Sequence, residues 1–175
     1  WDKFFKVDKK DVATYINWFN GGSVGANPTG ANAMDAILNW PAIGPEGQPM
    51  APYYDANGNG VYDPYAGDYP DFWLGTGSRP DPAPGVPADP CDAELFGDQV
   101  LFWVFNDKGN VHSESGGASI GLEIQAQAFA FQTNDVINNM TFYRYDLFNK
   151  GNYTLDSAFI AQWVDPDLGC ANDDY

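Results

Sequence analysis

Apolar residues recur along the chain with two different periods, and the change of period divides it into three parts. Near the N-terminus Val12, Tyr15, Ile16 and Phe19 keep the i, i+3, i+4, i+7 spacing of one helical face. Asp8 precedes them as an N-cap candidate, Asp11 supplies a first-turn acid, and Asn20-Gly21-Gly22 ends the pattern. A second short helix is predicted over residues 31–39, with Met34, Ile37 and Leu38 inward and Pro41 blocking its extension. Residues 1–43 thus read as a helical segment packed on a β-domain further along the chain.

From residue 99 the period shortens to two. Residues 99–106 (QVLFWVFN) are aromatic and β-branched, and Asn106-Asp107-Lys108-Gly109-Asn110 behind them is turn chemistry. Over residues 120–132 the alternation puts Leu122, Ile124, Ala126, Ala128 and Ala130 on one face, with Glu123, Gln125, Gln127, Phe129 and Phe131 on the other. The small residues of the first face predict close approach of another layer. Strands are also predicted over residues 140–149 and 155–164, joined by Lys150-Gly151-Asn152. Glu123 needs a partner if it is buried, and Arg144 in the next strand is the expected one. Residues 99–175 read as an antiparallel β-domain. The fold class is mainly β (α+β): an antiparallel β-sandwich or meander with two short N-terminal helices and a long Pro/Gly-rich loop region.

Residues 44–98 form that loop region. Residues 77–90 (GSRPDPAPGVPADP) carry proline too often for a helix or a central strand. Ahead of them Asp55-Ala56-Asn57-Gly58-Asn59-Gly60-Val61-Tyr62-Asp63 reproduces nine positions of a calcium loop. Asp55, Asn57 and Asn59 are the side-chain oxygens at positions one, three and five. Gly60 allows the sharp turn, Val61 offers its carbonyl, and Asp63 is the acid at position nine. An EF-hand carries a bidentate Glu at position twelve, where this chain has Ala66, so Asp68 is the available substitute and an isolated calcium loop the expectation. The plainer alternative is an Asn-Gly surface turn. A second, weaker calcium candidate is the group Asp165, Asp167, Asp173 and Asp174, whose alternative is a solvated acidic terminus. The rings of Tyr53, Tyr54, Tyr62, Tyr65, Tyr69, Phe72 and Trp73 crowd this region, either covering the core or offering faces for sugars to stack on.

Composition narrows the function. With 24 Asp and Glu against 8 Lys and Arg, the net charge of -16 leaves no basic surface for nucleic acid. The 44% hydrophobic content still separates the chain from acidic disordered tails. No apolar run reaches the roughly 20 residues that span a bilayer, so no membrane insertion is expected. Abundant carboxylates with few lysines fit an extracellular protein whose acids are partly neutralised by bound cations. Cys91 and Cys170 are a disulfide candidate that would close a long loop and contribute about 3–5 kcal/mol, the alternatives being free thiols or partners elsewhere. The single histidine, His112, lies beside Ser113 and Glu114 without a Gly-x-Ser-x-Gly elbow, and reads as a loop residue rather than a catalytic base.

The strings at residues 54–70 (YDANGNGVYDPYAGDYP), 103–110 (WVFNDKGN), 121–131 (GLEIQAQAFAF) and 162–169 (QWVDPDLG) resemble large exported surface proteins of Bacteroidota, of the kind that end in a type IX secretion sorting domain. The resemblance implies export and a longer multidomain parent of which this chain is an internal portion. It also implies O-glycosylation at Ser157, within the triplet Asp156-Ser157-Ala158. It carries no catalytic residues. The expected function is a calcium-stabilised, secreted or surface-displayed structural or adhesive module, such as a filament or surface-layer subunit. Its expected partners are further copies, neighbouring domains of the same protein, or glycans. The alternative is a carbohydrate-binding module or polysaccharide hydrolase, in which two carboxylates would flank a scissile bond.

Overall fold

A computed structural model describes residues 3–21, 31–72, 74, 94–109, 111–113 and 115–164. The chain is mainly β, with antiparallel sheets and two short helices. Strand β1 (Phe5–Asp8) leads into helix α1 (Lys9–Asn20), and helix α2 (Ala31–Leu38) is next. Two-residue strands β2 (Tyr53–Tyr54) and β3 (Tyr69–Pro70) bracket the predicted calcium loop, and a 3-10 turn spans Pro64–Ala66. The long strands are β4 (Gln99–Asn106), β5 (Leu122–Ala130) and β6 (Phe142–Asn149).

Strands β1, β4, β5 and β6 form one antiparallel sheet in that order, so β4, β5 and β6 are a meander to which β1 adds at the far edge. Register sets Phe5 against Phe102, Phe102 against Gln127, and Gln127 against Arg144. Directly opposed residues share a face, so Val7, Val100, Phe102 and Val104 point inward together. They meet Val12 and Tyr15 of α1, Ile37 of α2, and Trp40, Met50, Tyr54, Tyr69 and Phe72 from the region between α2 and β4. One core therefore draws on all three sequence segments. Each of its fully buried valine, isoleucine and phenylalanine side chains contributes about 1.5–3 kcal/mol.

Buried polar tips pin the helices to the loop region. The Tyr15 hydroxyl donates to the Pro64 carbonyl at 2.5 Å, the Tyr62 hydroxyl to the Ile37 carbonyl at 2.8 Å, and the Trp40 indole to the Pro52 carbonyl at 3.0 Å. Burial pushes both phenols well above their ordinary titration range. Asp8 is the N-cap of α1 by position, yet its side chain caps no helical N–H and instead accepts from Gln99 at 2.7 Å.

Four expectations need correction or refinement. Among the described residues there is one four-stranded sheet with helices and loops on its inner face, and the second ladder is only two residues long, so a two-sheet sandwich is not formed by them. Strand β1 has no signature of its own in the sequence, because four residues between charged neighbours qualify as a strand only by pairing with β4, more than ninety positions away. Residues 155–164 make no strand. The turn ahead of them is tied elsewhere: the Lys150 N–H donates to the Gly121 carbonyl at 2.9 Å, and the Tyr153 hydroxyl to the Ser119 carbonyl at 3.3 Å. The chain is thereby drawn toward the entry of β5 instead of folding back along β6, leaving Phe159 96% and Trp163 82% exposed. Finally, Glu123 lies opposite Phe148 in register and pairs with Lys150 at 3.8 Å, while Arg144 pairs with its own strand neighbour Asp146 at 2.9 Å.

Candidate functional site

The predicted calcium loop is wound by its own side chains. The two Asp55 carboxylate oxygens accept from the N–H groups of Gly58 at 2.8 Å, Asn59 at 3.2 Å and Gly60 at 2.7 Å. The side-chain carbonyls of Asn57 and Asn59 each accept from the N–H two residues on, at 3.0 and 2.7 Å. These local turns are what Asp and Asn at alternate positions do to a backbone. Gly60, at position six, has φ 73°, which suits glycine, and a Cβ there would meet nothing within 4 Å. Partial burial pushes the Asp55 carboxyl up, but the N–H groups of Gly60, Gly58, Asn59 and Asn57 outweigh it and hold the group below the ordinary carboxylate range.

Asp68 has a different place from its neighbours. Fully buried, it accepts from the Ala56 N–H at 2.9 Å through one oxygen and from the Asp63 N–H at 2.7 Å through the other. It clamps the neck of the loop. Asp63 in turn caps the 3-10 turn by accepting from the Tyr65 N–H at 2.9 Å. The donor types fit a hard cation, being carboxylate, amide and carbonyl oxygens without thiol or imidazole. Asp55, Asn57 and Asn59 with the Val61 carbonyl would hold calcium, which would supply charge neutralisation and loop rigidity. Among the described residues no three His, Cys, Asp or Glu side chains gather into a metal-holding group, so such a site leans on amide and backbone oxygens.

The second acidic group (Asp165, Asp167, Asp173, Asp174) and both cysteines, Cys91 and Cys170, lie outside the described residues. Ser157 is exposed with φ 56°. Tyr54, Tyr69 and Phe72 are buried, which makes them core residues, whereas Tyr65 is exposed and Trp73 lies outside the described residues.

Sequence reading missed a second carboxylate of the same kind. Asp107, at the end of β4, accepts from the N–H groups of Ile120, Gly121 and Leu122, the last two at 3.0 and 3.1 Å. The slight desolvation of its carboxyl is outweighed by these bonds, and the group titrates below its ordinary value. His112 donates through Nε2 to the Asp107 carbonyl at 2.8 Å, a loop contact. The spacing from Asp107 to Gly121 is too long for any local motif to announce it.

The outer face of the sheet is apolar across the middle of β4, β5 and β6, with Lys6 and Asp8 at its β1 margin. Leu101, Trp103 and Phe105 from β4 and Tyr143, Tyr145 and Leu147 from β6 flank Ala126 and Ala128 of β5. Those alanines are buried because the opposed large side chains on both neighbouring strands close over them. Phe105, Tyr143, Tyr145 and Leu147 remain exposed, and among the described residues no further layer covers them. The two edges differ. Strand β1 is four residues long and carries Lys6 and Asp8, which pair at 3.9 Å. Strand β6 is eight residues long, without proline, and rich in aromatic side chains.

Among the described residues no helix is long and apolar enough to cross a membrane. No protein family, curated protein or solved structure matches this chain.

Proposed function

We propose that the chain is a calcium-stabilised structural or adhesive module displayed outside the cell, which assembles with further copies of itself through strand β6 and the outer face of its sheet. The observation that carries this reading is an edge and a face that nothing covers among the described residues. Long edges are what soluble sheets ordinarily shorten, charge or cover; β1 is four residues long, whereas β6 is eight, with its Arg144–Asp146 pair on the inner face and Tyr143, Tyr145 and Leu147 on the outer one. Charge supports self-association. In a chain of net charge -16, the outer-face rows across β4, β5 and β6 are Leu101, Ala128 and Tyr143, then Trp103, Ala126 and Tyr145, then Phe105, Ile124 and Leu147. None of these side chains is charged, so two such faces can meet without opposing carboxylates. A second copy would supply the second layer of a sandwich. The self-wound Asp55–Asp68 loop supports calcium, and the acidity and the resemblance to exported surface proteins support display outside the cell.

Sedimentation and thermal unfolding of the purified chain, with calcium and with chelator, test this together. The expected mass is a multiple of the 19.2 kDa chain, reduced to one copy in the Tyr143→Glu, Tyr145→Glu double variant at unchanged far-ultraviolet circular dichroism. Calcium at about a hundred times its Kd should add about 2.7 kcal/mol to unfolding. A monomer whose unfolding ignores calcium would overturn the reading. Labelling of intact source cells with a membrane-impermeant reagent checks the display.

A further inference from the structure

The inner face of the sheet changes character along β5. At one end Phe129 stacks on Phe142 at 5.5 Å; then come Gln127 opposite Arg144, and Gln125 opposite Asp146. Segment 49–53 crosses the β4 side of this face, bonded back to the chain ahead of it through Met50 N–H to the Ala42 carbonyl and Ala51 N–H to the Pro41 carbonyl. Between that segment and β6 lies a cleft of about 560 Å³, within the size range of small-molecule sites, with β5 as its floor.

Its floor is polar where a core would be apolar. Gln127 is only 1% exposed; its Nε2 donates to the Glu94 carbonyl at 3.1 Å, while its Oε1 is buried with no hydrogen-bond partner. A buried acceptor left in that state costs roughly 1–3 kcal/mol, which a donor from a bound molecule would recover. Gln125, also buried, donates to Glu123. Arg144 holds Asp146 at 2.9 Å and reaches the Glu94 carbonyl at 3.5 Å. With Asp71, Glu94 and Asp146 against Arg144, the lining carries an excess of carboxylates and repels anions. Of these carboxylates Asp146 is paired with Arg144 and Asp71 accepts from the Glu94 N–H at 3.3 Å, so a cation is the rival occupant that a charged probe tests. What it lacks is groups that both donate and accept beside apolar surface, here Pro49, Tyr53 and Phe148. Hydroxyls on a ring meet that description.

We infer that this cleft binds a neutral polyhydroxylated ring ligand, a saccharide, with Gln127 Oε1 accepting from one of its hydroxyls. The inference does not rest on assembly through β6, which uses the other face and the edge.

The test is amide NMR of the isotope-labelled full chain titrated with maltohexaose, cellohexaose, laminarihexaose and mannohexaose, with polygalacturonate and spermidine as charged probes. At least one neutral hexaose should shift residues 49–53, 125–127 and 144–148, and neither charged probe should. Gln127→Leu should weaken that binding roughly five- to tenfold, the effect of one neutral hydrogen bond, while changing thermal stability little, since the lost bond to the Glu94 carbonyl is offset by removal of the orphaned acceptor. Tyr53→Ala, at the rim, is the second variant and should weaken binding without unfolding the chain. Silence from all four hexaoses, binding indifferent to Gln127→Leu, shifts confined to Trp103, Tyr143 and Tyr145, or stronger binding of a charged probe would each overturn it. None of these outcomes alters the mass or calcium readings that bear on assembly.

Discussion

Two loops of this protein are organised around one aspartate each, and they use the same chemistry over different distances. Asp55 gathers the N–H groups of Gly58, Asn59 and Gly60, three to five residues ahead. Asp107 gathers those of Ile120, Gly121 and Leu122, across the whole β4–β5 connection. Both carboxyls are held below their ordinary range by backbone donors. The first loop presents further oxygens from Asn57 and Asn59, whereas the second presents its backbone to Gly151 and the β6 turn. A carboxylate surrounded by N–H groups is thus no sign of a metal by itself.

The comparison can be broken most severely at the neck of the first loop. Asp68→Ala removes two charge-assisted bonds and leaves the Ala56 and Asp63 N–H groups without their acceptor, so denaturant unfolding should show a loss of about 3–4 kcal/mol. Next come two glycines with nearly equal φ, 78° at Gly121 and 73° at Gly60. A Cβ on Gly121 would lie 3.0 Å from the Gly151 backbone, while one on Gly60 meets nothing within 4 Å. Gly121→Ala should therefore cost about 2–4 kcal/mol and Gly60→Ala about 1 kcal/mol, and equal costs would show that backbone conformation alone matters.

Smaller in energy but sharper in meaning is the calcium response. Asp55→Asn should abolish the calcium-dependent rise in melting temperature and Asp107→Asn should leave it intact, since the first loop sets Asn57 and Asn59 at alternate positions beside its carboxylate. The smallest effect is acid loosening. Both groups have depressed values in the fold, so their contribution is complete above the ordinary carboxylate range and is lost as pH falls through the folded values. Hydrogen exchange at Gly60 and Gly121 should accelerate together below about pH 4, the free-aspartate value. At the other extreme Tyr15 and Tyr62 are raised, so their neutral forms support the fold up to the ordinary phenol value of 10.0, and alkaline unfolding should set in above it.

What the sequence made legible was local. Strand β4 has the bounds its aromatic run predicts, α1 obeys its apolar spacing, and the turns wound by Asp55, Asn57 and Asn59 act within five residues; α2 buries Met34 and Ile37 as expected, but Leu38, expected inward, is exposed at the helix's last position. The β1 pairing, the reach of Asp107 and the cleft between residues 49–53 and β6 required register, which an alternation of two cannot fix. The Glu123 expectation failed on that point: Arg144 stands opposite Gln127, two positions along the same face from Gln125 and four from Glu123. Residues 155–164 failed for another reason, since β propensity needs a partner edge, and the turn at 150–153 carries the chain away from the nearest one. The cleft is assembled from residues around 50, 71, 94, 125 and 146, so no spacing could reveal it.

The unequal edges of the sheet also set an arithmetic of assembly. An antiparallel ladder between two β6 strands maps onto itself under a two-fold axis, and it consumes both open edges at once. What remains outside is a β1 on each flank, short and guarded by Lys6 and Asp8. Growth by this contact stops at two chains, whose four-stranded sheets become one continuous sheet. Any longer assembly would have to use an unlike contact, the outer face, with the doubled unit rather than the single chain as its building block.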